Sequence, residues 1–350
     1  MEEWKEYKLE EVCSRLRSGK GIKSDCISNI GLFPVIGGNG MRGYTNKSNF
    51  KGECAVIGRQ GANCGNVRFF MGEAYMTEHA VVAVGNELAD SYFLARLLSL
   101  MHLGNLSAQS AQPGLSIQTL SKQIIRLPSI SYQREISTVL KSLDDKIEVN
   151  RRINDNLEQQ AQALFNEMFP HITEGENMIG NLIMPKRGKG LLSKNAIKGD
   201  IPVVAGGIEP ATYHNQANTT APVLTIAASG ANAGYINLWH IPVWASDSSY
   251  IDDSITPNVY FWYIMLKKRQ KEIFDAQVGS AQPHIYPKHI AELPMNVVFV
   301  EKIAEYNEIV TPIFEKKGQL YLESKRLTSL RDTLLPKLMS GELKINDINN

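Results

Sequence analysis

The stretch Gly58-Arg59-Gln60-Gly61-Ala62-Asn63 sets a guanidinium and two carboxamides on a loop bounded by glycine. A guanidinium matches the acceptor pair of guanine in a major groove, and a carboxamide matches the donor and acceptor of adenine. Gly38-Asn39-Gly40-Met41-Arg42-Gly43-Tyr44, upstream, offers Asn39, Arg42 and Tyr44 in a similar glycine frame. The chemistry on offer is reading of base edges. The same residue types also suit a tight turn, and for Asn63 and Asn232 the turn is the stronger reading because Asn tolerates a positive φ. Lys20 and Lys189 stand in Gly-Lys-Gly turns that could meet phosphate through the ammonium and backbone amides, or lie solvated. Gln112 and Gln282 sit in identical Ser-Ala-Gln-Pro segments, read as DNA contacts or, more readily, as a shared supporting turn.

Other chemistries lack their residues. The histidines and the four cysteines, Cys13, Cys26, Cys54 and Cys64, show no metal-ligand spacing, and no nucleophile elbow is present. Neither a Walker sequence nor the Asn/Asp-Pro-Pro-Tyr/Phe loop of adenine methyltransferases occurs. The chain is therefore read as non-catalytic. Cysteines without Cys-x-x-Cys spacing, the absence of a signal peptide and the lack of a membrane-length apolar run point to a cytoplasmic protein. The net charge of +1 in 350 residues is low for a chain that holds DNA unaided. Partner subunits are expected to help.

These loops occur twice, about 169 residues apart. Ser18-Gly19-Lys20-Gly21 returns as Arg187-Gly188-Lys189-Gly190. Pro34 to Gly38 returns as Pro202 to Gly207, and Gly61-Ala62-Asn63-Cys64-Gly65 as Gly230-Ala231-Asn232-Ala233-Gly234. Each copy predicts short strands, at 53–57, 67–71 and 80–84 and at 222–226 and 235–239, followed by a helix over 91–101 or 258–274. Where side chains would meet a ligand the copies diverge. Arg42 and Tyr44 have no match near Ile208, Glu209, Tyr213 and His214, and Arg59-Gln60 faces Ala228-Ser229. Different surfaces imply an asymmetric, two-part target. The candidate DNA-contact set is thus Lys20, Asn39, Arg42, Tyr44, Arg59, Gln60, Asn63, Gln112, Lys189, Tyr213, His214, Ser229, Asn232 and Gln282.

Two long helices must position these loops. Ile136, Leu140, Leu143, Ile147, Asn150, Asn154, Leu157, Ala161, Leu164 and Met168 alternate spacings of four and three, the period of a coiled-coil seam. That predicts one helix over 132–169, roughly 55 Å long at 1.5 Å per residue, stopped by Pro170. Tyr306, Val310, Ile313, Lys317, Leu320, Ser324, Leu327, Arg331, Leu334 and Leu338 repeat the spacing, although Pro312 and Gly318 are expected to kink or shorten this helix. Asn150 and Asn154 read as seam residues that fix register. Asp144, Asp145, Glu148, Arg151, Arg152, Asp155 and Glu158 form either a docking face or, more commonly, a solvated flank.

With LPSISYQREISTVLKSLDDKIEVNRRINDNLEQQAQALF and RDTLLPKLMSGEL, the chain resembles the specificity subunits of type I restriction-modification systems over essentially its whole length. The resemblance implies an α+β chain with an internal pseudo-twofold repeat. Its parts would be recognition domains at 1–128 and 171–294, separated by a long antiparallel helix pair at 129–170 and 295–350 with a C-terminal tail. It implies a non-catalytic subunit that binds double-stranded DNA and docks two methyltransferase subunits, together with restriction and translocase subunits. S-adenosylmethionine, ATP and magnesium would be held by those partners. The readings set against it are the recognition subunit of another modification system, and a coiled-coil scaffold whose heads bind protein.

Overall fold

The computed structural model describes residues 2–61, 63–107, 114–279 and 282–348. The chain divides into two compact units, one formed by Met1–Ile147 with Lys325–Asn350 and the other by Glu148–Ser324. Both long helices form, over Ile130–Met168 and Val300–Ser340, and each contributes one part to each unit. Ser129 begins the first, its Oγ accepting the Tyr132 N–H at 3.4 Å. Every seam residue of both helices is buried or half-buried.

The second long helix runs through Pro312 and Gly318 and starts before Ile303, so the shortening expected at those residues does not occur. Pro312 lies on the exposed flank, so the Glu308 carbonyl that loses its helix donor stands at an exposed position. Gly318 is buried beneath His240, and a Cβ there would stand 2.7 Å from the imidazole Cγ. Gly318→Ala should therefore lower stability despite the ~1 kcal/mol that alanine gains in helix propensity, since overpacking costs about 1–3 kcal/mol. A lower urea midpoint for the Glu148–Ser324 unit is the expected readout. A rise would show that the ring moves aside freely.

His240 carries a second prediction. Burial pushes its pKa down to about 4. The unfolded chain, with an ordinary imidazole near 6.5, thus binds more protons than the folded chain between these values, and stability must fall as pH drops through that window. Between pH 7 and pH 5 the loss should be about 2 kcal/mol. His240→Phe should flatten this part of the pH profile, as measured by urea unfolding of both proteins at the two pH values.

The first unit is built on a six-stranded sheet in the order Cys13–Ser18, Ala80–Gly85, Phe50–Gly58, Val67–Met76, Phe33–Gly37, Gly40–Thr45. All neighbours are antiparallel except Phe33–Gly37 and Val67–Met76. Helix Ser91–Leu100, capped by Asp90 accepting the Phe93 N–H at 2.8 Å, covers one face. Its apolar side joins Ile136 and Leu140 of the first long helix and Leu335, Leu338 and Met339 of the second in one core. Asp144 ties these parts together, accepting from Tyr92 Oη at 2.5 Å, Arg331 Nη1 at 2.8 Å and the Arg96 guanidinium.

The second unit has a four-stranded sheet, Lys186–Arg187, Ser248–Ile251, Val223–Ala227, Ile236–Trp239, and a three-stranded one, Thr212–His214, Ile201–Val204, Trp244–Ala245. The helix expected over 258–274 is broken at Arg269 into Val259–Lys268 and Gln270–Asp275. The buried Arg269 guanidinium bonds Glu272 Oε2 through Nε at 2.7 Å and also donates to the Pro294 carbonyl, the second of these tying the break to a segment distant in sequence. Phe165, Phe169, Phe261 and Tyr306 form the centre, with all six ring pairs within 6.1 Å. Glu158 plays the part of Asp144 here, accepting from Tyr263 Oη at 2.7 Å and from the Lys317 ammonium.

The long helices run antiparallel within the second unit, as Asn150 with Ser324 and Glu158 with Lys317 show, and the chain returns the same way in the first, where Tyr132 meets Ile345 and Asp144 meets Arg331. Asn150 is fully buried in the second unit and donates to Glu323 Oε2 at 2.8 Å and Ser324 Oγ at 3.3 Å. Such a pairing penalises any shifted register, which would strand the buried Nδ2 donors. Glu148, Arg151, Arg152 and Asp155 pair among themselves on the exposed flank. No helix among the described residues is long and apolar enough to cross a membrane.

Candidate nucleic-acid interface

In the first unit Gly37 pairs with Gly40, closing a hairpin over Gly38 and Asn39 and placing Asn39 at an exposed tip. Gly40 has φ +107°, open to glycine but not to a branched residue. Arg42 leaves the tip on the outgoing strand, and its side chain crosses Gly37, where a Cβ would lie 3.0 Å from Arg42 Cδ. The opposing wall is the loop after Phe50–Gly58. Together they enclose a concavity of about 380 Å³ in which Asn39, Arg42, Gln60 and His79 converge. His79 Nε2 lies 3.3 Å from Glu78 Oε1 at its edge.

The loop itself is backbone architecture, and it is built twice. Gly58 N–H donates to Asn66 O at 2.8 Å, Gly65 N–H to Gly58 O at 2.8 Å, Cys64 N–H to Gly61 O at 2.9 Å and Asn66 N–H to Asn63 O at 3.1 Å. In the second unit Ala227 donates to Tyr235 O at 3.0 Å, Gly234 to Ala227 O at 2.7 Å, Ala233 to Gly230 O at 3.0 Å and Tyr235 to Asn232 O at 2.9 Å. Gly61 and Gly230 adopt φ +77° and +81°, Gly65 and Gly234 +81° and +85°. The Gly-Lys turns repeat as well, with Lys20 N–H on Met76 O at 3.0 Å and Lys189 N–H on Ala245 O at 2.9 Å. One frame carries two sets of side chains.

Of the residues singled out in the sequence, Asn39, Arg42 and Gln60 meet in the concavity. Lys20, Asn63, Lys189, Tyr213 and Gln282 are exposed away from its lining, and Tyr44 and Asn232 are half-buried. Arg59 is committed inward, its Nε donating to Leu115 O at 3.2 Å and Nη1 to Ser18 Oγ at 3.4 Å. Ser229 donates to Asp247, which also accepts from Arg187 Nη2 at 2.5 Å. His214 lies in the interior, Nδ1 accepting the Ile197 N–H at 3.0 Å and the ring edge-on to Trp244. Its neighbours satisfy it there, and it presents no group to the surface. Gln112 falls outside the described residues. His79 and Arg68 were not signalled by any motif. The hint for Arg68 was strand alternation, since Val67 is buried and Arg68 exposed.

All four cysteines are free, and burial pushes the Cys13 and Cys54 thiols up to about 12, far from thiolate chemistry. Among the described residues no cluster of His, Cys, Asp and Glu could hold a metal ion.

An internally repeated α+β chain, with glycine-framed polar loops on two units and long helices shared between them, defines a class. The family model described as "Type I restriction modification DNA specificity domain" matches residues 1–159. The specificity subunit of the Escherichia coli type I restriction enzyme EcoprrI is 37% identical over 134 residues, covering 37% of this chain and 33% of that protein. This match spans about a third of that relative's length. A Mycoplasma pneumoniae protein assigned as a type I specificity subunit is 26% identical over 352 residues, covering 92% of each chain. The crystal structure of the S subunit of a type I restriction-modification system from M. genitalium shares the fold, with TM-score 0.64 and 22% identity over 96% of both chains. Residues 1–159 thus match the type I specificity-domain model, and the chain along most of its length is similar to type I specificity subunits.

Proposed function

We propose that this chain is the DNA-reading subunit of a type I restriction-modification complex, each compact unit reading one half of a split, asymmetric sequence. The observation that carries this is the doubled loop frame, in which the same four backbone bonds recur while the presented side chains change. A conserved frame with exchanged side chains is what two half-sites of different sequence demand. In the first unit Asn39, Arg42 and Gln60 supply the amides and guanidinium for base edges. In this reading Lys20 and Lys189 meet phosphates, and Arg59 acts by holding its loop against Leu115.

The chain positions DNA and performs no bond chemistry itself. Methyltransferase subunits dock on the long helices, restriction and translocase subunits join the complex, and those partners hold S-adenosylmethionine, ATP and magnesium in the cytoplasm. The family assignment of residues 1–159 and the relatives named as specificity subunits support this. The test is long-read modification mapping of DNA from cells with and without the gene, its neighbours intact. The expected result is an asymmetric split motif whose adenine methylation disappears with the gene. Unchanged methylation in cells whose system is expressed would overturn the reading.

A further inference from the structure

Arg68 lies on strand Val67–Met76, opposite Val56, with its side chain exposed. Its guanidinium crosses the hairpin at Gly40, where a Cβ would stand 2.5 Å from Nη1 and 3.5 Å from Cζ. Arg42 crosses the same hairpin at Gly37. Two glycines flanking the Gly38-Asn39 tip are thus the berths of two arginines. Among the described residues neither guanidinium has an ion-pair partner or a side-chain hydrogen bond. Two guanidiniums without an ion-pair partner beside one tip present positive charge that an anion would neutralise. The position 169 residues later holds Asn237, and the second unit has Glu209 where its hairpin region diverges, so this feature belongs to the first unit alone.

We infer that Arg68 grips a backbone phosphate of the half-site read by the first unit, and so fixes how the Asn39 tip enters the groove. This rests on the DNA-reading function proposed above. The lining of the concavity separates the two arginines. Arg42 lines it with Asn39 and Gln60, facing where base edges would lie, whereas Arg68 is outside it. A rim guanidinium positions the duplex and carries no sequence information. The missing Cβ at Gly40 leaves room for the Arg68 guanidinium beside the tip.

The experiment measures binding of the assembled complex to two duplexes, one bearing the mapped split motif and one of unrelated sequence, across a salt series. Arg68→Ala should weaken both by about tenfold, the scale of one charge-assisted contact, and reduce the slope of log affinity against log salt by about one. Arg68→Lys should restore the slope, and the methylated motif should be unchanged in cells carrying either variant. Arg68→Ala with wild-type affinity and slope would overturn the assignment, as would a changed base in the first half-site, which would make Arg68 a base reader. A wild-type complex that binds neither duplex would overturn the DNA-reading function itself, and the role of Arg68 with it. A thermal melt of Arg68→Ala, expected to match wild type because the residue is exposed, separates contact from folding.

Discussion

Gly19→Ala should open the first unit locally and leave the second intact. A Cβ on Gly19 would lie 2.0 Å from Met76 O and 2.6 Å from Thr77 O. Both are backbone atoms in the connection between two sheet strands, so no side chain can swing aside. The turn must move, breaking the bonds from Gly19 N–H to Ala80 O and from Lys20 N–H to Met76 O, each 3.0 Å. Two buried bonds lost with their acceptors stranded, together with steric strain, amount to about 3–5 kcal/mol. Gly188 is the same case in the second unit, its added Cβ 2.4 Å from Ala245 O. Amide hydrogen exchange on the whole chain reads the result. Gly19→Ala should lose protection in Cys13–Ser18 and Ala80–Gly85, and Gly188→Ala in Lys186–Arg187 and Ser248–Ile251. If either substitution loosened both units equally, the division of the chain into separately stable parts would be wrong.

Phe165→Ala should be the most damaging single change in the second unit. Phe165 is fully buried and its ring centroid lies 5.2 Å from Phe169 and 5.5 Å from both Phe261 and Tyr306. These residues come from the first long helix, the head's own helix and the second long helix, so one truncation leaves a cavity where three elements meet. Phe to Ala in such a site costs about 3–5 kcal/mol, part of it the two tilted ring contacts and the edge-to-face one with Tyr306. Phe165→Leu, closer in volume, should cost about half that or less. Urea unfolding followed by tryptophan fluorescence should show the transition of the second unit moving to lower urea, Trp239, Trp244 and Trp262 all lying there. An unshifted transition would mean that the cluster collapses around the gap.

Both long helices were readable because a three-four spacing is a local property that no tertiary contact needs to supply. The loop frame was readable because the same glycines recur 169 residues apart, and a glycine that must adopt positive φ leaves its mark in the letters. What escaped was set by contacts distant in sequence. Nothing around Arg269 announces a helix break, because the break depends on the Pro294 carbonyl. His214 looks like any polar loop residue until Ile197 and Trp244 enclose it. Pro312 and Gly318 look like defects, yet one faces water and the other makes room for His240. Asp144 and Glu158 resembled the rest of a charged flank, and only the tyrosines of the head helices distinguish them. Of the candidate site, the residue types at Asn39, Arg42 and Gln60 were legible. Their convergence was not, since it depends on a hairpin and a loop from different strands meeting.

The way the units divide the chain also sets an order of events during synthesis. Everything in the second unit is contained in residues 148–324, so its last part leaves the ribosome before the final stretch does. The first unit, begun earlier, lacks Leu335, Leu338 and Met339 until the end, and with them one wall of its core. Its six-stranded sheet must wait with apolar surface uncovered while a younger neighbour closes. A nascent chain exposed only as far as residue 325 would therefore hold every residue of the second unit and lack the closing residues of the first.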